Sequence, residues 1–154
     1  MGIKVNMKKS LLLAALVLLA TTAASAARKA IYKPWENGRL KVSDNQRYLV
    51  HENGKAFFWL GNTSWLMPER LNRDEVEYFL DKERQCGYNV EQIQVLNAIP
   101  TFNVYGQQAN NKEFDFSRVS RPGIYGYWEH MDYIVDQAEK NGIYIAMDCI
   151  WGSM

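Results

Sequence analysis

Three strand-like runs in this sequence end in side chains that suit contact with a sugar. Amides and carboxylates can bond sugar hydroxyls, and indole faces pack on the C–H faces of pyranose rings. In α/β folds, ligands bind at the carboxyl ends of parallel strands. The candidate substrate-binding residues at these three strand ends are Asn62, Thr63, Trp65, Gln94, Asn97, Asp148 and Trp151.

Asp148 is the most informative of these residues. It follows Ile145, Ala146 and Met147 in an apolar run, and a buried carboxylate requires either a partner or a function. The other candidates also fit structural roles: Trp65 as a packing residue at the strand ends, and Asn62 as a side chain that bonds a local turn.

Three further polar residues fit structural or surface roles and not substrate binding. Gln92 lies deeper in its strand and suits a structural interior amide, whereas Glu69 and Glu129 suit solvated charges in helical regions.

Several chemistries find no support in the pattern. Gly87 and Gly142 end helices and do not open glycine-rich turns after strands, so a dinucleotide fingerprint is absent. No G-x-S-x-G nucleophile elbow occurs, and His51 and His130 lack the spacing of metal ligands. Ordinary glycoside hydrolysis needs two carboxylates, and only Asp148 is well placed. We therefore expect no cofactor and no metal, and we assign no catalytic residue.

Two helix–glycine–strand joins organise the chain. A helical pattern ends at Gly87 before GYNVEQIQVLN, and a second ends at Gly142 before GIYIAMDCIW. Such joins predict parallel strands linked by crossover helices. The predicted order is linker, β-hairpin, then β–α–β–α–β, over these ranges: linker 27–38, hairpin 39–55 (strands 39–43 and 47–51), first buried strand 56–61, helix 72–86, strand 89–96, helix 125–141 and strand 143–151.

The strand 89–96 has two unlike faces. Ile93 and Val95 lie on one face together with Glu91, and Gln92 and Gln94 lie on the other. The apolar face is expected to pack on helices, so the glutamines point into a barrel interior or a cleft. An edge strand with one wet side is the alternative. Residues 97–124 follow as a long, aromatic-rich connection, which we expect to be an ordered loop over the strand ends.

The first 26 residues have the layout of a secretory signal peptide. Three lysines precede an apolar run at 11–20, and Ala24-Ser25-Ala26 supplies an A-x-A cleavage site. The run is too short for a membrane span, so a permanent anchor is the weaker alternative. Cleavage after Ala26 removes the three lysines and changes the formal charge from +1 to −2. We expect a bacterial periplasmic or extracellular protein that binds neither nucleic acid nor, after cleavage, membranes.

The chain has two cysteines, Cys86 and Cys149. They fall at opposite edges of the predicted parallel sheet, farther apart than the roughly 4.4–6.8 Å that a disulfide allows between Cα atoms. We expect two free thiols.

Four segments together resemble one known family. FFWLGNTSW, LNRDEVEYFLDKERQCGYNVEQIQVL, TFNVYG and RPGIYGYWEHMDYIVDQAEKNGIYIAMDCIWG resemble the apiosidase-like catalytic domain, the DUF4038 family, whose characterised members are in glycoside hydrolase family 140. The resemblance covers roughly residues 39–152. It implies a (β/α)₈ TIM barrel and retaining hydrolysis of plant pectin side chains, with apiose in rhamnogalacturonan II as the known target.

Three departures from the family pattern bear on function. Asn62 stands in GNTSW where relatives have Asp in a GDTAW-like segment, so the charge is lost. Glu91 stands where an apolar residue is usual, and we expect local destabilisation there. The third is length: the sequence holds about three βα units, against about 250 residues for a full barrel.

The resemblance places the catalytic carboxylates on later strands, beyond residue 154. It therefore implies a truncated N-terminal part of a secreted glycoside hydrolase, inactive alone. A non-catalytic carbohydrate-binding protein and a complete small α/β domain with an open sheet are the alternatives.

Overall fold

The structure, a computed structural model, describes residues 31–110 and 123–150. The predicted signal peptide and Trp151 lie outside these ranges. The described elements, in chain order, are β1 (Leu40–Val42), β2 (Leu49–His51), β3 (Ala56–Phe57), β4 (Gly61–Thr63), α1 (Met67–Arg70), α2 (Arg73–Cys86), β5 (Val90–Leu96), α3 (Tyr127–Asn141) and β6 (Tyr144–Ile150).

A small antiparallel sheet comes first, with strand order β1–β2–β3. Its first two strands lie at the predicted hairpin, with Leu40 opposite His51 and Val42 opposite Leu49. Within the predicted linker the chain forms a 3-10 helix, Pro34–Asn37, since proline suits the first turn of a helix.

The prediction of one buried strand over residues 56–61 is wrong. Ala56 and Phe57 pair with β2 in the antiparallel sheet, whereas Gly61 begins β4 in a different sheet. The residues between them are exposed, Phe58 to 77%. An apolar run indicates burial but does not show that the chain changes sheet in the middle of it, as it does here.

The side chain of Asn89 holds the Phe58–Leu60 connection in place. Its Oδ1 accepts the N–H of Leu60 at 2.9 Å, and its Nδ2 donates to the carbonyl of Phe58 at 2.7 Å. The backbone N–H of Asn89 also donates to the carbonyl of Leu60. One carboxamide thus supplies the hydrogen bonds that a neighbouring strand would otherwise make.

The second sheet is parallel, with order β4–β5–β6, and its strands are joined by α2 and α3. Gly61 is in register with Val90, and Val90 with Tyr144. The predicted α/β class and the parallel pairing of the strands are confirmed.

Helix α2 forms where the sequence predicts a helix, and the pattern Asn72-x-x-Glu75 at its start is typical of a helix cap. The Asn72 side chain accepts the N–H of Glu75, and the Glu75 side chain accepts the N–H of Asn72, a complete capping box. Val76 and Leu80 are fully buried. Gly87 ends the helix in the left-handed conformation. The single turn α1 before it was not predicted.

Helix α3 begins at Tyr127, two residues later than predicted, and Gly142 ends it in the left-handed conformation. Its apolar side chains Met131, Ile134 and Ala138 are buried. Together with α2 and β5 it forms the hydrophobic core, which comprises Met67, Val76, Leu80, Ile93, Val95, Ala109, Tyr127, Met131, Ile134, Ala138 and Ile143.

In the described part of the long connection, 97–110, the side chain of Asn103 makes three hydrogen bonds to the backbone. Asn103 Oδ1 accepts the N–H groups of Tyr105 and Gln107, and its Nδ2 donates to the carbonyl of Tyr125. This carboxamide ties the loop after β5 to the segment that enters α3. The rest of the predicted loop, 111–122, lies outside the described residues.

Cys86 and Cys149 are both free and exposed. In the parts of the chain that the structure describes, no helix has the length and apolar character to cross a bilayer.

Candidate functional site

The parallel sheet has two faces of different chemistry. The helix face carries Ile93 and Val95 and packs on α2 and α3. The opposite face, here called the glutamine face, carries Gln92 and Gln94. Strand alternation places Thr63 and Asp148 on the glutamine face too, because Thr63 is in register with Gln92 and Asp148 with Gln94.

Gln94 and Asp148 are direct neighbours on this face. Their strands are parallel and hydrogen-bonded, so the two backbones lie about 4.8 Å apart. Gln94 is only 2% exposed, and neither atom of its amide has a hydrogen-bond partner among the described residues. Asp148 is half-buried. An amide without partners in such a position retains the capacity to donate one hydrogen bond and to accept another.

The chain after β4 runs alongside β5 towards its carboxyl end. Ser64 donates its N–H to the carbonyl of Gln92 at 3.1 Å, and the Trp65 carbonyl accepts the N–H of Gln94 at 3.0 Å. These bonds bring Trp65 beside Gln94, although Trp65 lies outside the strand proper. Asn97 directly follows β5 and is half-buried.

Asn62 is separated from this group. It is in register with Glu91, so alternation places its side chain on the helix face. Its Oδ1 accepts the N–H of Thr63 at 2.8 Å, a local contact. The predicted strand end at Gly61 put Asn62 and Thr63 together in a loop, whereas both lie within β4 and face opposite ways.

The structure therefore brings Thr63, Gln94 and Asp148 to one face and Trp65 to its edge. Trp151, the remaining aromatic candidate, lies outside the described residues. No group of three or more His, Cys, Asp or Glu side chains converges as metal ligands within 31–110 and 123–150.

Glu69 is only partly solvated. It is half-buried, and its Oε1 accepts the hydroxyl of Thr101 at 3.0 Å. Nearby, Tyr127 donates its hydroxyl to the carbonyl of Val95. Burial raises the pKa of Tyr127 to about 12, and the charge of Glu69 adds to that effect. Glu129 is also half-buried. Sequence spacing gave no sign of the Thr101 contact, because Thr101 lies 32 residues from Glu69.

A cavity of about 450 Å³ lies beside the start of α2, lined by Asn72, Arg73, Asp74, Tyr105, Tyr125 and Tyr133. The guanidinium of Arg73 sits 4.3 Å from the ring centre of Tyr133 and 5.4 Å from that of Tyr125, and it donates to the carbonyl of Ile124. The backbone N–H of Arg73 donates to the hydroxyl of Tyr105. Arg73 therefore attaches the segments that carry Tyr105 and Ile124 to the start of α2.

His130 packs beneath this cluster, edge-on to Tyr105 and stacked on Tyr133. Its Nε2 lies 3.0 Å from the carbonyl of Leu71. Burial, and to a smaller degree the charge of Arg73, lowers the pKa of His130. The ring is therefore a neutral core group whose Nε2–H meets that carbonyl.

One comparison with known proteins shows the family of this chain. The family model described as "Apiosidase-like, catalytic domain" matches residues 43–154. The chain belongs to this family. The match covers most of the chain and includes every residue of the glutamine face.

Two solved structures are similar to the chain. One, titled "Glycoside hydrolase", shares 56% identity with a TM-score of 0.75 and covers 79% of this chain. The other, a glycoside hydrolase family 5 protein from Bacteroides vulgatus ATCC 8482, shares 58% identity with a TM-score of 0.76 and covers 80%. The chain spans only 27% of each of these proteins. No curated protein matches the chain.

Proposed function

We propose that this chain forms the first part of a (β/α)₈ barrel in a glycoside hydrolase, and that its glutamine face binds the sugar. Membership of the apiosidase-like family supports a carbohydrate as the substrate class. The observation that carries the proposal is the pairing of Gln94 with Asp148. The half-buried Asp148 carboxylate can accept hydrogen bonds from sugar hydroxyls, and the buried amide beside it has no hydrogen-bond partner among the described residues.

The proposed substrate is a pectin side chain of the rhamnogalacturonan type, and the proposed location is the bacterial periplasm or exterior. The family supports the proposed substrate. The lysines, the apolar run and the A-x-A site within residues 1–26 support the proposed location.

Hydrolysis itself needs a second carboxylate. Among the described residues, Asp148 is the only acid that alternation places on the glutamine face, and glycoside hydrolysis uses a pair. We therefore propose that this chain binds the sugar without cleaving it. A non-catalytic carbohydrate-binding role is the second candidate function, and the same single carboxylate favours it.

A calorimetric titration of the purified chain with rhamnogalacturonan II oligosaccharides tests binding. Asp148→Asn should weaken binding by about ten- to a hundredfold, because hydrogen bonds to a charged group contribute about 1.5–3 kcal/mol. Asp136→Asn, at an exposed position of α3, is the matched control.

The outcomes separate the candidates. Binding that Asp148→Asn leaves unchanged would place the sugar elsewhere, and no binding at all would reject the proposal. Release of free sugar by the chain would contradict the proposal that it binds without cleaving, and would favour a hydrolase.

A further inference from the structure

The cavity beside the start of α2 is separate from the glutamine face, since none of its described lining residues belongs to that face. Its volume of about 450 Å³ falls within the range of about 300–1,000 Å³ that small-molecule sites occupy. Its lining combines the start of α2 with Tyr105 after β5 and Tyr125 before α3. Crossover helices begin at the carboxyl ends of the strands they follow, so the cavity lies at the end of the sheet where α/β proteins bind ligands.

The guanidinium of Arg73 brings an unused hydrogen-bond donor to this cavity. Its Nη2 donates to the carbonyl of Ile124. Its Nε is buried and has no hydrogen-bond partner among the described residues. A buried donor without a partner costs free energy, and such groups in folded proteins are usually satisfied by water or a bound molecule. The Nε–H of Arg73 is therefore available to a ligand that offers an acceptor.

The tyrosine hydroxyls at the cavity have both donor and acceptor capacity. The Tyr105 hydroxyl accepts the backbone N–H of Arg73, which leaves its own proton available. The Tyr133 hydroxyl donates to Glu77, which leaves its oxygen available as an acceptor. Asp74, which is exposed at the cavity, adds a carboxylate acceptor. A ligand that fits must therefore both donate and accept.

The charges around the cavity favour an uncharged ligand. Arg73 is positive, Asp74 and Glu77 are negative, and the charges of all three act on Tyr133. An anionic ligand is repelled by the two acids, and a cation offers no acceptor to the guanidinium. Hydroxyl groups donate and accept without charge. The ring of Tyr125, with 49% of the residue exposed, offers a surface for the C–H face of a sugar.

We propose that this cavity binds a neutral sugar ring as a second sugar site of the chain. In this site Arg73 donates its Nε–H to one sugar hydroxyl, Asp74 accepts from another, and Tyr125 contacts the ring. The class of ligand rests on the proposed function, whereas the location rests on the cavity and on the unpartnered Nε–H.

Nuclear magnetic resonance of the full chain tests the proposal with two probes: methyl α-L-rhamnoside, a neutral sugar of the rhamnogalacturonan type, and sodium galacturonate. The rhamnoside should shift the Nε–H signal of Arg73 and the backbone amides of Asp74 and Tyr125. It should leave the amide of Tyr48, in the antiparallel sheet, unmoved. Galacturonate should bind about tenfold more weakly, because its carboxylate is repelled by the two acids.

Two variants assign the binding to this cavity. Arg73→Lys keeps the charge but removes the Nε–H, so it should weaken rhamnoside binding about tenfold, as expected when a charged donor is lost. Asp74→Asn, at an exposed position, should weaken binding severalfold and decides if Arg73→Lys fails to fold. Asp136→Asn, at an exposed position of α3, is the matched control and should bind as the unaltered chain does.

Asp148→Asn distinguishes this proposal from the proposed function, because Asp148 lies on the glutamine face. Shifts of the Arg73 signal that persist in Asp148→Asn support a second site, even if the glutamine face binds no sugar. Three results would overturn the proposal: an Arg73 Nε–H signal that the rhamnoside leaves unmoved, tighter binding of galacturonate than of the rhamnoside, or unchanged affinity in the folded variants of Arg73 and Asp74.

Discussion

The two helix–glycine–strand units of this chain follow one sequence logic but differ in their surroundings. The first comprises α2, Gly87 and β5, and the second comprises α3, Gly142 and β6. Both helices end in a left-handed glycine, and both strands have seven residues. Most of β5 is buried, whereas no residue of β6 is.

The difference arises from position in the sheet, not from composition. β5 lies between β4 and β6 and beneath two helices, while β6 is at the edge of the described sheet. Ile93 and Met147 are register partners on the helix face, yet Ile93 is 0% exposed and Met147 48%. Equivalent apolar side chains therefore contribute unequally to stability.

The largest expected effect tests this inequality. Ile93→Ala should lower the free energy of unfolding by about 4 kcal/mol, because it leaves a cavity in the core. Met147→Ala should cost less than about 1 kcal/mol, because half of that side chain is already in water. Urea denaturation of both variants measures the two values. Equal losses would show that β6 is covered to the same degree as β5.

The two glycines provide the next test. A Cβ on Gly142 would lie 2.2 Å from the carbonyl oxygen of Tyr32, whereas a Cβ on Gly87 would meet nothing within 4 Å. Gly87→Ala should cost about 1 kcal/mol, the penalty of the left-handed conformation alone. Gly142→Ala should cost roughly 3 kcal/mol, because backbone overlap adds to that penalty.

Thermal unfolding of the two alanine variants measures this difference. Similar melting temperatures would mean that the segment around Tyr32 moves away from Gly142 at little cost.

The smallest expected effect concerns Tyr127, which donates its hydroxyl to Val95 of β5. Tyr127→Phe should cost about 1 kcal/mol at neutral pH, the usual net value of one hydrogen bond. The folded-state pKa of about 12 lies above the ordinary value of 10.0, so Tyr127 contributes a loss of stability as the pH rises from 10 towards 12.

Tyr127→Phe should therefore flatten the alkaline fall in stability, which denaturation at several pH values detects. Tyr78→Phe, at an exposed position of α2, is the control. A fall of unchanged steepness in Tyr127→Phe would assign it to other groups.

The sequence predicted those features that depend on local chemistry. The Asn72–Glu75 capping box, the glycine termini and the parallel strands all follow from residue types at short spacing, so they could be recognised from the pattern. The break in residues 56–61 could not, because apolar character does not specify the sheet that a residue joins. Because the sequence did not reveal this break, it also did not show that Asn62 lies within β4 and on the helix face.

The candidate site was predicted only in part from the sequence. Side-chain alternation correctly separated Gln94 from Ile93, and register then brought Gln94 beside Asp148. The Glu69–Thr101 contact and the Ser64–Glu91 contact join residues 32 and 27 positions apart. Glu91 was expected to be a destabilising charge, and the structure shows that Ser64 supplies it with two donors.

The Asn89 carboxamide has a consequence for which residues this position tolerates. Its two polar atoms have opposite roles: Oδ1 accepts the N–H of Leu60, and Nδ2 donates to the carbonyl of Phe58. Aspartate has the same shape but no donor, so it would place negative oxygen against the Phe58 carbonyl. Asn89→Asp would therefore lose one of the two side-chain hydrogen bonds that hold the connection between the two sheets.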